Sequence, residues 1–75
     1  MRRYWWHDAV VKELRRLRDE CDMPGYNVKG LAGNLRFLHI DARKYVAELL
    51  EDGTLKEIEP LWDYPGATWV ALKDS

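Results

Sequence analysis

Seventy-five residues are enough for one domain with one hydrophobic core, near the lower size limit for a fold held without disulfides or metals. With 47% hydrophobic and 33% charged residues the composition excludes an extended disordered chain and a coiled coil, and a lone cysteine, Cys21, excludes an internal disulfide. The net charge of −1 argues against capture of nucleic acid by the molecule as a whole.

That near-neutrality hides a segregation along the chain. Residues 1–18 hold six Lys/Arg against two Asp/Glu, residues 19–25 carry −3, residues 26–47 hold four bases against one acid, and residues 48–63 hold one base against six acids. Local potential is felt within about 10 Å at moderate salt, so a basic face can form on a chain that is neutral overall. After "MRRYWW", His7, Asp8, Lys12 and Glu13 break any apolar run. Neither a leader nor a membrane span is therefore expected, and the expected location is intracellular, in the cytoplasm.

In chain order, Val10, Leu14, Leu17 and Cys21 recur every three or four residues opposite Lys12, Arg15, Arg16 and Asp19, which predicts an amphipathic helix over 8–21 with Cys21 as a small core residue. "DMPGY" stops it, because proline restricts its predecessor and glycine accepts turn geometries. Asn27 is the N-cap of a short helix over 28–36, in which Val28, Leu31, Ala32 and Leu35 share a face. Gly30 and Gly33 each cost this helix roughly 1 kcal/mol relative to alanine, so packing must hold it. A third helix over 40–52, beginning near His39 or Asp41, turns Ala42, Tyr45, Val46, Leu49 and Leu50 inward and ends at Gly53.

Beyond Gly53 the pattern changes to that of strands. "TLKEIEP" and "ATWVALK" flank "LWDYPG", whose Pro65-Gly66 pair suits the centre of a type II turn, giving a hairpin with its tip at 61–66. The predicted core is Val10, Leu14, Leu17, Leu31, Leu35, Val46, Leu49, Leu50 and Leu55. The fold class is α+β, mainly α, in one domain over 1–75: three helices followed by a C-terminal β-hairpin.

The segment "NVKGLAGNLRFLHIDARKYVAELLEDGTL" resembles the helix-turn-helix of the winged helix superfamily, down to the ending formed by Leu49, Gly53 and Leu55. Leu31 and Ala32 fall where that family's positioning helix carries its packing pair, "ARKYVAELLEDG" resembles its recognition helix, and the hairpin takes the place of the wing. The linking turn departs from the family's frequent glycine and reads "RFLH". The resemblance implies a small DNA-binding regulator of transcription whose third helix enters the major groove of double-stranded DNA with its N-terminal half. It implies that His39, Asp41, Arg43 and Lys44 face the DNA, with Arg43 reading a base edge and Lys44 contacting phosphate. Lys29 and Arg36 would clamp the adjacent backbone.

A second class of function stays open beside the first. The stretch "EIEPLWDYPG" has three acids and no base, and an acidic wing is repelled by phosphate. Trp62 and Tyr64 either fold back over the sheet or anchor a larger protein partner, for which the chain would be an accessory or inhibitory interaction module. At the other end Tyr4, Trp5 and Trp6 either pair two copies into a homodimer or divide, with Trp6 inside and Tyr4 and Trp5 on the surface. Arg2 and Arg3 are either a basic arm or a solvating tail.

Catalysis is not expected. His7 and His39 have no cysteine or carboxylate at metal-ligand spacing, and the chain contains no glycine-rich phosphate loop or nucleophile elbow. No enzymatic activity, metal or cofactor follows from these residues.

Overall fold

The computed structural model describes residues 2–64 and 66–75. Helix α1 spans Trp5–Glu20, strand β1 Tyr26–Asn27, helix α2 Val28–Leu35, helix α3 His39–Glu51, strand β2 Leu55–Glu57 and strand β3 Trp69–Leu72. The three helices and an antiparallel sheet of order β1-β3-β2 make an α+β fold. No helix among the described residues is long and apolar enough to cross a membrane.

Helix α1 starts three residues earlier than its apolar repeat suggests, because the backbone N–H of Tyr4 donates to Nδ1 of His7 at 2.9 Å and closes the first turn. It also stops a residue sooner, and this corrects the reading of Cys21. As the C-cap, Cys21 leaves helical geometry, Asp22 turns the chain at φ 55°, and the thiol is exposed rather than part of the core. Asn27 caps α2 as expected, its Oδ1 accepting from the N–H of Gly30 at 2.7 Å.

Strand β1 has only two residues and no alternation to announce it. It exists because β3 supplies partners: Tyr26 lies opposite Val70 and Asn27 opposite Trp69. On the other edge of β3, Leu55 lies opposite Leu72 and Glu57 opposite Val70. All four residues of β3 are buried, since both faces of the strand are covered. Val70 and Leu72 join the core beneath the helices, while the rings of Tyr26 and Trp62 lie edge-on to Trp69 on the opposite face. Gly25 closes that same face, where an added Cβ would come within 2.5 Å of Ile58 Cδ1 and the Val70 carbonyl oxygen. Of the expected hairpin tip, Pro65 lies outside the described residues, and Gly66 has φ 78°, the sign a type II turn requires of its third residue.

The core contains seven of the nine residues expected: Val10, Leu14, Leu17, Leu31, Val46, Leu49 and Leu55 are buried, while Leu35 and Leu50 are half-buried against it. Val28, Ala32, Ala42, Val70 and Leu72 complete the cluster. The two glycines of α2 differ in kind. A Cβ on Gly30 would run into the ring of Tyr26, so glycine there lets that ring lie against the helix. Gly33 faces open space, with nothing within 4 Å of an added Cβ. Gly33→Ala is accordingly expected to stabilise the protein by about 0.5–1 kcal/mol, read as a higher urea midpoint at unchanged slope.

Candidate nucleic-acid interface

The turn "RFLH" closes without glycine. Arg36 takes the left-handed conformation itself, at φ 58°, while its N–H donates to the Gly33 carbonyl at 3.3 Å and the N–H of Phe37 donates to the Ala32 carbonyl at 2.9 Å. These are the two hydrogen bonds of a Schellman motif, and they satisfy the carbonyls that end α2. Leu38 then caps α3 without a side-chain hydrogen bond, and Asp41 stands in the first turn, where a negative charge complements the helix dipole.

At about 100° per residue, Ile40, Lys44, Ala47 and, in the last turn, Glu51 lie along the outermost line of α3, diametrically opposite the buried Ala42, Val46 and Leu49. Arg43 is exposed to one side of that line. There it borders an open groove of about 230 Å³ between α3 and the sheet, with Val28, Val46, Ala47, Leu50, Glu57 and Thr68. Asp41 is half-buried on the opposite flank, toward the side of α3 that carries Glu48, so it does not interrupt the outer line. His39, the first residue of α3, is exposed.

Three bases are held in ion pairs, while Arg2, Lys12, Arg15 and Lys73 pair with no carboxylate among the described residues. On the N-terminal side, Arg3 meets Asp8 at 3.2 Å and Asp52 at 3.4 Å, Arg16 meets Glu13 at 2.7 Å, and Arg18 meets Asp19 and Asp74 at 3.1 and 3.5 Å. Arg3 is thus a cross-link and not a free arm, while Arg2 lies over the Tyr4 ring at 5.6 Å. Arg15 borders a separate cleft with Arg18, Thr54 and Lys73. Lys29, Arg36, Arg43 and Lys44 are exposed, and none of them pairs with a carboxylate among the described residues.

Lys29 does engage the far loop. Its Nζ lies 5.9 Å from the Tyr64 ring centroid, a cation–π contact between α2 and the segment that precedes β3. Trp62 packs edge-on against Trp69 with centroids 4.5 Å apart and remains 46% exposed. Trp62 therefore folds back over the sheet while Tyr64 lies against Lys29 of α2, and both still present part of their surface.

Among the N-terminal aromatics Trp6 turns inward, while Tyr4 and Trp5 stay on the surface. Trp6 is half-buried between Tyr4 and Tyr45, stacked on them at 4.5 and 5.6 Å, and Trp5 is 68% exposed with its ring edge-on to Phe37. Inside this cluster His7, 1% exposed, joins α1 to α3, its Nε2 donating to Glu48 Oε1 at 3.0 Å. Nδ1 accepts from a backbone amide, which can only donate, and this assigns the proton to Nε2. Nothing local in the sequence marks this pair, whose members stand 41 residues apart.

A second polar tie orients α2. Glu13 accepts two hydrogen bonds from Arg16, at 2.8 and 2.7 Å, and one from Asn34 Nδ2 at 2.9 Å. The Arg16 guanidinium holds the Glu13 carboxyl below its ordinary value near 4.5, with Asn34 adding to the effect and burial opposing it. Because the folded value lies below the unfolded one, this stabilisation is complete above the unfolded value and is lost as pH falls through the folded one. An acid titration of thermal stability should therefore fall less steeply below about pH 4.5 in Glu13→Gln than in the parent chain.

Comparison of this chain with protein families, with curated proteins and with solved structures finds no match.

Proposed function

We propose that the chain is a winged helix-turn-helix domain that binds double-stranded DNA, with α3 in the major groove, and serves as a small regulator of transcription. The observation that carries this reading is the sorting of charge. Arg3, Arg16 and Arg18 are held by carboxylates and the other exposed bases without carboxylate partners, Arg2, Lys12, Arg15 and Lys73, lie on or before α1 and after β3, whereas Lys29, Arg36, Arg43 and Lys44 all lie on α2, α3 and the turn between them, exposed without carboxylate partners among the described residues. Phosphate neutralisation needs cations of this last kind. The element order and the strand order β1-β3-β2 support the winged arrangement, with 58–68 between β2 and β3 as the wing. Two copies on paired half-sites would supply the base contacts that one small module lacks.

The test is a titration against random-sequence duplex at several salt concentrations. Binding should weaken as salt rises, and Lys44→Ala should weaken every duplex by a similar factor and reduce the salt slope by about one. Salt-independent binding, or none, would sink this reading.

A second reading has its own observation. Trp5 in the N-terminal segment and Trp62 and Tyr64 in the wing are 68%, 46% and 38% exposed, and large exposed apolar side chains mark protein-binding surfaces. On that reading the domain is an interaction module that uses its N-terminal segment and aromatic wing, either for a larger partner or for a second copy. Sedimentation of Trp5→Ala tests the second case, with a dimer of the parent chain shifting toward monomer.

A further inference from the structure

The outer line of α3 alternates two chemistries. Ile40, the most exposed large apolar side chain among the described residues at 72%, lies one turn from Lys44 and two turns from the small, exposed Ala47, with Arg43 beside them. From Ile40 to Ala47 the helix rises about 10.5 Å, roughly three base steps of B-form DNA. A protein-facing patch is depleted of charge at its centre, whereas here Lys44, without a carboxylate partner among the described residues, sits between the apolar positions. In the major groove, guanine presents two acceptors suited to arginine, and thymine presents the one apolar group on any base edge, its 5-methyl.

Resting on the DNA-binding reading above, we propose that Ile40 is a specificity-determining residue that packs against a thymine methyl, with Ala47 admitting a second. The preferred duplex then carries thymine within about three base steps of the guanine that Arg43 contacts. Arg43 and Lys44 on the N-terminal two-thirds of this face suit a polyanion as its occupant, with the acids Glu51 and Glu57 set at the last turn of α3 and across the groove.

The experiment uses a duplex selected from a random pool for binding to the full chain, and its twin in which deoxyuridine replaces thymine, so that only methyl groups are removed. The expected result is that the parent chain binds the twin about fourfold more weakly for each thymine methyl that the protein packs against. Ile40→Ala should reduce this penalty, while Ile40→Val should retain most of it. Circular dichroism of both variants should match the parent, since the side chain stands in solvent. A selected duplex that binds equally with and without its methyls overturns this inference and leaves the DNA-binding reading intact, whereas failure to select any duplex overturns both. An unchanged penalty in Ile40→Ala, together with loss of self-association, overturns it in favour of a protein-facing patch.

Discussion

Replacing Leu49 by alanine is expected to cost about 2 to 5 kcal/mol of folding stability. Leu49 is fully buried on α3, within the cluster that includes Val10 and Leu14 of α1, Leu31 of α2 and Leu55 and Leu72 of the sheet. Its carbonyl also accepts from the N–H of Thr54 at 3.0 Å, where the chain leaves the helix for β2. Little in a domain this small can collapse into the space the side chain leaves. Stability of roughly 0.05–0.15 kcal/mol per residue gives on the order of 4 to 11 kcal/mol for 75 residues, so the loss is a large share of the total. Calorimetry would register it as a fall of about 4–8 °C per kcal/mol. Leu50→Ala, at a half-buried position on the same helix, is the control and should cost clearly less. Equal losses at the two positions would mean that the core is not centred where the structure puts it.

The second large effect concerns recognition. On a preferred site, Arg43→Ala should lose about 1 to 3 kcal/mol of binding free energy while barely changing affinity for random duplex, because a base-edge contact carries sequence information and a phosphate contact does not. The side chain is exposed beside the groove between α3 and the sheet, and Glu57 on the far side of that groove repels phosphate. A guanine edge, neutral and rich in acceptors, suits such a setting better than the backbone does. Trp62→Ala should leave both affinities nearly unchanged, since its ring packs on Trp69 and Tyr26. If Arg43 and Lys44 were silent and Trp62 or Tyr64 decided capture of a protein partner, α3 would be scaffold and the wing the working surface.

Part of this molecule was legible residue by residue. Asn27 announces the start of α2 because its oxygen can serve only nearby amides, and Gly53 announces the end of α3 because φ 85° is costly for other residues. Other features were not legible, because the cause lies far along the chain. Tyr26 and Asn27 become a strand only when β3 arrives, and His7 is interpretable only beside Glu48. Cys21 misled because a periodic pattern does not say where the last turn leaves the helix. The turn at Arg36 shows the reverse limit: with no glycine the sequence leaves the geometry open, and packing of α2 against α3 holds an arginine in the left-handed region.

The sequence by itself determined the three helices, the return of the chain through "LWDYPG", most of the core, and the set of basic residues at 29, 36, 43 and 44. These follow from local periodicity and capping, which act over a few residues. Only the tertiary structure decided which bases are paired and which are free, which aromatics cover the sheet and which face solvent, and that Ile40 stands on the outer line of α3 among unpaired cations. Those outcomes depend on distances between residues remote in sequence. An ion pair or a ring contact is set within a few ångströms of space, which no spacing along the chain specifies.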